Sequence, residues 1–251
     1  MARPNACWPL GLQVSSEQGD YDYLAYFWGY GAKLYENRDY THVALNSQAG
    51  VQALEFLVKL ADEGLIEPGA TTIQGNDLEN LFWQHQTAIT ASSLRIWNDL
   101  KAARAENRVR EPMELFLAHF PHAEGVTNGL AVGPTGVCVF KQEDPEKRKW
   151  AVELARYLNT PERQRELCAN GGWFPTRKST PDPHPNDPYY RAVQKLIRER
   201  GIEDMGLTSP HYYQVRVLLY PQIQAALLHK KTPAQALADY EKAANRVLAG
   251  K

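Results

Sequence analysis

At Asp144-Pro145, Thr160-Pro161 and Thr232-Pro233 a capping side chain stands directly before a proline. Such a pair fixes a helix start. The side-chain oxygen accepts a free first-turn N–H, and proline has no N–H to lose at the first helical position. Behind Asp144 the apolar stripe is Trp150, Leu154, Tyr157 and Leu158, and the helix begun at Thr160 ends at Gly171. Thr232-Pro233-Ala234-Gln235 is a capping-box pattern, followed by Ala236, Leu237, Tyr240 and Val247. A helix starting near Ser47 carries Val51, Leu54, Leu57, Val58 and Ala61 on one face until Gly64 stops it. A longer one is predicted over Tyr213–His229, with Pro221 as a break point. Between helices lie short apolar strand candidates: Gly11–Ser15, Thr87–Ala91, Leu115–Phe120 and Val137–Phe140. Short buried strands alternating with helices predict an α/β fold, a small sheet covered by helices on both faces. The proline-rich Thr176–Pro188 reads as an exposed loop.

The chain has 251 residues, enough for one or two domains with a core of ordinary size. Its 28 Lys and Arg against 29 Asp and Glu leave a net charge of -1, so no basic excess exists to hold nucleic acid or an anionic membrane. The uncharged run Gly125–Phe140 has 16 residues and is interrupted by glycine and proline, short of the about 20 apolar residues of a spanning helix. The opening MARPNACWPLGLQ lacks the apolar stretch of a signal peptide. Cys7, Cys138 and Cys168 are too few and too scattered for a disulfide scaffold or a thiolate metal site.

Of the chemistry-bearing patterns, HExxH, CxxC, GxGxxG, the P-loop and GxSxG do not occur. His119 and His122 flank Phe120-Pro121 and cannot share a helix face, so no metal or cofactor is expected. What stands out is Tyr21, Tyr23, Tyr26, Phe27, Trp28 and Tyr30, with Asp20 and Asp22 among them. Aromatic faces stack on the C–H face of a sugar ring and carboxylates accept from its hydroxyls, which suits a carbohydrate cleft. The same spacing also suits a core helix. Three further places are candidates. Ser92 and Ser93 stand where a strand gives way to a helix, as anion or hydroxyl ligands or as plain caps. Trp173 follows the helix-ending Gly171-Gly172, as a stacking wall or as the apolar residue of a C-cap. Arg216 lies in an apolar helix start and needs a partner, either a ligand or a structural carboxylate.

Taken in order, several segments are similar to the extracellular solute-binding proteins of ABC importers, the maltose-binding-like family. YLAYFWGYGAKLYENRDY and LNSQAGVQALEFLVKLADEGLIEPG resemble its aromatic helix, hairpin and long helix. DLENLFWQHQTAITASS resembles its xxxLFxxGxxAMxxxxx segment. GPTGVCVFKQEDPEKRKWAVELARYLNTPERQRELCANGGWFPTRKS resembles its crossover strand, helix pair and G-Y/W-x-P turn, and QVRVLLYPQIQAALLHKKTPAQALADYEKAANRVL its closing helices. His85-Gln86 and Ala88-Ile89 depart from the family pattern at packing positions.

The resemblance implies a periplasmic-binding-protein-like second lobe formed by residues 1–125 and 177–251. Residues 126–176 would be a crossover segment that packs on a first lobe which this chain mostly lacks. The chain would then be a fragment, a truncated product or one half of a pair. Carried over by position, the family's site falls on Tyr21 with Tyr23 beside it, Ser92 or Ser93, Gly133, Trp173 and Arg216. The implied function is non-catalytic, periplasmic or extracellular binding of a sugar or oligosaccharide, with permease subunits as partners. Glycerol-3-phosphate or its diesters are the alternative ligand, since Ser92 and Arg216 would suit an anion. A carbohydrate hydrolase, with two carboxylates converging in space, is the alternative from another class. Exposed apolar residues of the crossover (Leu130, Val132, Val137, Val139, Phe140) predict self-association of the chain.

Overall fold

The computed structural model describes residues 7–127, 129–131, 133 and 136–250. Val132 and the Pro134 beside Gly133 lie outside the described residues.

The chain is α/β. Strand β1 (Trp8–Gly11) pairs in parallel with β2 (Thr87–Thr90), Leu10 opposite Ile89, and Leu10 also bridges Ile66. A second parallel pair joins β3 (Leu130–Ala131) to β4 (Ile202–Glu203). Helix α1 spans Asp20–Gly29 and α2 Gln48–Asp62. Then come α3 (Gly75–Trp83), α4 (Ile96–Ala105), α5 (Pro145–Leu158), α6 (Pro161–Gly171) and α7 (Pro188–Arg200). The chain closes with α8 (Tyr212–Arg216), α9 (Tyr220–Leu227) and α10 (Pro233–Leu248).

The expected caps form. Ser47 accepts from Gly50 N at 3.1 Å, Asp144 from Glu146 N at 2.8 Å, and Thr160 from Arg163 N. Thr232 and Gln235 make a reciprocal capping box. Leu54 and Leu57 of α2 are fully buried with Leu237 and Tyr240 of α10, and α1 and α9 close the same core. Burying each leucine contributes about 1.5–3 kcal/mol. Glycine is required at Gly50, where a Cβ would lie 1.9 Å from the Leu45 carbonyl oxygen. The predicted Tyr213–His229 helix is two helices, interrupted just ahead of Pro221, which sits in the first turn of α9. A smaller core of Trp83, Ile96, Leu100, Tyr190 and Val193 joins α3, α4 and α7.

Three expectations need correction. The first strand is Trp8–Gly11 rather than Gly11–Ser15; beyond Gly11 the extended backbone bonds singly to the Ala70 carbonyl through Val14 N, at 2.7 Å. Leu115–Phe120 and Val137–Phe140 form no strand, because apolar composition cannot make a ladder without a backbone partner beside it. The sheets are small, as expected, with two strands in each ladder among the described residues. Thr176–Pro188 is not wholly an exposed loop: Thr180 and His184 are buried, and Asp187-Pro188 caps and opens α7.

One helix has its apolar face outward. No described residue of α5 is buried, and Trp150, Leu154 and Tyr157 of its stripe are largely exposed, Trp150 by 64%. Phe140, just before it, is 81% exposed.

Candidate functional site

The first turn of α1 is set by a tight approach. A short 3-10 turn, Glu17–Gly19, precedes it, and a Cβ on Gly19 would lie 2.1 Å from the Gln13 carbonyl oxygen. This presses Asp20 inward, where it is almost fully buried. Arg216, at the end of α8, donates from Nε and Nη2 to the two Asp20 carboxylate oxygens, the second at 2.6 Å. Burial pushes the Asp20 carboxyl up, and the guanidinium donors oppose it. Burial likewise disfavours the Arg216 charge, but Asp20 more than offsets it, so the guanidinium is firmly protonated. Its Cζ lies 5.3 Å from the Tyr21 ring centre and 5.5 Å from that of Tyr212, at cation–π distance. Gly133 comes against the same ring: a Cβ there would lie 2.6 Å from the Tyr21 hydroxyl oxygen. Tyr21, Gly133 and Arg216 are therefore neighbours, although they are widely separated in sequence.

A second group forms around the start of α4. Ser93 Oγ accepts from Arg95 N at 3.4 Å, a capping contact. The Arg95 guanidinium lies 5.7 Å from the Trp173 ring centre and pairs with Asp99 at 3.0 Å. Gly172 ends α6 in the left-handed region, φ 73°, and Trp173 folds back over Gly171, whose missing side chain makes room for the indole. Trp173 remains 36% exposed, so both readings of it are satisfied at once: it is the apolar residue of a C-cap and it keeps an open face.

Each group has a carboxylate of its own nearby. Ser92 Oγ donates to Glu79 Oε1 at 3.0 Å. Glu79 in turn lies within electrostatic reach of Asp22 on α1. Burial, then the neighbouring Asp20 and Glu79, push the Asp22 carboxyl up to about 8. Among the described residues Asp22 has no salt-bridge partner within 4.0 Å. Glu79 was not singled out from sequence; its one signal is a position on the polar side of α3 facing the end of β2. Arg95 was also missed, hidden in an ordinary amphipathic helix pattern.

Tyr23 is a correction. It is fully buried, 0% exposed, in the main core, so it cannot form a ligand wall beside Tyr21. Phe27 and Trp28 lie in the same core. Ser92 and Arg216 do not act as one anion-binding pair either: each is bonded to a carboxylate of its own.

This α/β arrangement of short parallel strands and capped helices is the fold of the periplasmic-binding-protein class. A family model described as bacterial extracellular solute-binding protein matches residues 13–193, and the chain belongs to that family. Its fold is that of maltose-bound MalE3 of T. maritima (TM-score 0.77, 19% identity, 96% of this chain and 61% of that one). It is also that of the MalE domain of Bdellovibrio bacteriovorus bound to maltotriose (TM-score 0.80, 18% identity, 97% and 60%). A chitin oligosaccharide binding protein is similar as well (TM-score 0.74, 18% identity, 96% and 60%). Curated relatives from Brucella abortus and Brucella suis are 22% identical over 241 residues, which is 95% of this chain and 56% of theirs. The chain thus spans little more than half the length of those relatives. The family and the solved neighbours are binding proteins. Among the described residues no helix is long and apolar enough to cross a membrane.

Proposed function

We propose that this chain is the ligand-holding lobe of an ABC-importer substrate-binding protein that takes a sugar or oligosaccharide outside the cytoplasmic membrane and performs no catalysis. One observation carries the reading. Tyr21, Gly133 and Arg216 form one group at element ends, and Ser92, Ser93 and Trp173 lie with Arg95 and Glu79 around the start of α4. Aromatic faces with carboxylate and hydroxyl acceptors beside them match a sugar's C–H faces and hydroxyl rim. The phosphate-ester alternative depends on a free Arg216 next to Ser92, and neither is free in that sense.

In this reading residues 126–176 cross to a first lobe, and residues 1–125 and 177–251 make up the ligand-holding lobe. The outward-facing stripe of α5 supports this division, because an amphipathic helix holds its apolar face against a partner. Permease subunits are the implied downstream partners. The test is titration of the chain with a saccharide panel, with the sugars recovered and analysed afterwards. Saturable binding with every sugar returned intact supports the reading. Sustained hydrolysis of chromogenic glycosides would replace it with the enzyme reading.

A further inference from the structure

Resting on the saccharide reading above, in which Trp173 is a stacking wall, we infer that His184 is the positioning residue of that wall. Its ring N–H holds the Trp173 carbonyl and so sets where the indole presents its open face. His184 Nε2 lies 3.1 Å from the Trp173 carbonyl oxygen. A carbonyl only accepts, so Nε2 carries the hydrogen whatever charge the ring bears. The side chain is buried, and its ring stacks on Tyr190 of α7 with centroids 3.6 Å and planes 8° apart. The Phe174 ring meets it edge-on at 6.4 Å. Tyr190 is itself fully buried in the smaller core. Asp182 accepts from the His184 backbone N–H at 2.8 Å. The donor is therefore aimed from a packed support.

Both backbone polar groups of Trp173 are thereby committed. Its N–H caps α6 by donating to the Cys168 carbonyl at 2.9 Å, and its carbonyl accepts from His184. Asn98 of α4 donates to the Ala169 and Asn170 carbonyls, at 3.3 and 3.1 Å, so the end of α6 is tied to α4 as well. With its backbone held on both sides, Trp173 can turn only about its side-chain bonds, over Gly171 and beside Arg95. The His184 bond is not needed to hold the loop that carries His184. Gln164 of α6 fastens that loop: its amide donates to Thr176 Oγ1, and its oxygen accepts from Arg177 N and Thr180 Oγ1. Asp187 fastens the far end by capping α7. What the His184 bond adds is the placement of Trp173. A stacking face already in place spares a ligand the cost of ordering it.

Three variants of the chain separate the hydrogen bond from the packing. His184→Phe keeps a ring against Tyr190 but has no donor. His184→Asn keeps an amide that ends short of the carbonyl, and His184→Gln places an amide N–H where Nε2 stood. Isotope-labelled parent and variants are titrated with maltotriose and with chitobiose by protein-observed NMR, which follows the weak binding expected of one lobe. The Trp173 indole N–H resonance, identified by its loss in Trp173→Phe, is compared before any ligand is added. His184→Phe and His184→Asn should shift that resonance and weaken saccharide binding about three- to tenfold, the net worth of one hydrogen bond. His184→Gln should stay near the parent on both readouts. If a folded donor-less variant keeps the parental indole shift and affinity, or moves the indole without changing affinity, the inference is overturned and the saccharide reading stands. If His184→Gln behaves like His184→Phe, the ring and not the donor acts, and the inference also falls. If neither sugar moves a resonance of the parent, the saccharide reading itself fails and the role of His184 in binding goes with it.

Discussion

Asp20 and Arg216, 196 positions apart, join the first turn of α1 to the end of α8 through two parallel N–H···O bonds in a nearly water-free setting. This pair sets the site, because Arg216 then lies against the Tyr21 and Tyr212 rings and fixes where Tyr21 stands.

Removing one partner leaves the other charge buried without compensation. Arg216→Ala and Asp20→Ala should each lower unfolding free energy by about 3–5 kcal/mol. The double variant Asp20→Leu/Arg216→Met should recover most of the loss, since an apolar pair of similar volume has no stranded charge. Urea unfolding checks both statements. Single-variant losses below about 1 kcal/mol would mean the pair behaves like an exposed one.

Trp173 and Gly133 separate binding from stability. Trp173→Ala should weaken binding of a saccharide probe by about 1–3 kcal/mol, the scale of one aromatic anchor in a site. Gly133→Ala should weaken it too, because the new Cβ meets the Tyr21 hydroxyl and pushes the ring aside. Gly133 is exposed, so its urea midpoint should stay near the parent's. Calorimetry or NMR titration with parallel denaturation decides; parental affinity in both folded variants would make these positions caps and packing alone.

The helix framework was legible because its signals are local. Ser47, Asp144, Thr160 and Thr232 cap helices through bonds to residues two or three positions away, and such bonds are written in adjacent letters. Asp187-Pro188 carries the same signal, yet it closes a proline-rich run whose loop character masked it. The strands were harder. A ladder needs a neighbour far along the chain, so Leu115–Phe120 and Val137–Phe140 looked like strands and are not, while Ile202–Glu203 pairs with Leu130–Ala131 and carried no local mark. At the site, Tyr21, Ser92, Trp173 and Arg216 could be named from position. That Asp20 would occupy Arg216, and Glu79 would occupy Ser92, depends on how α1, α3 and α8 meet in space.

Glu67 gives the protein a pH signature. Its Oε2 accepts from Gly69 N, its Oε1 is buried with no partner among the described residues, and burial pushes the carboxyl up to about 7. The folded chain therefore keeps this proton to about pH 7, while the unfolded chain releases it near the ordinary 4.5. Between those values the folded state binds more protons, so stability is highest at the acid end and falls as pH rises. Relative to Glu67→Gln, the parent should lose about 3 kcal/mol between pH 4.5 and 7.5. Asp22 acts with the same sign at somewhat higher pH. Unfolding free energies of parent and variant at both pH values provide the check; parallel pH profiles would contradict it.

The apolar surface ahead of and along α5 should make the isolated chain associate. Phe140, Trp150 and Leu154 are all exposed, and large apolar side chains left open along one segment promote association. Light scattering should show a mass that grows with concentration, and Phe140→Ser/Trp150→Ser should suppress it. A constant monomer mass over a wide concentration range would rule this out.

The claim on which the rest depends is that ligand binds at the proposed site residues Tyr21, Ser92, Gly133, Trp173 and Arg216, and it can be tested by mapping amide shifts of the labelled chain during titration with maltotriose and with chitobiose. The account predicts that at least one sugar shifts, in a saturable way, amides around Tyr21–Asp22, Ser92–Arg95 and Gly172–Trp173 while leaving those of α10 in place. Saturable shifts confined to the α5 surface or to the start of α2, with the Tyr21 and Trp173 regions unmoved, would contradict it.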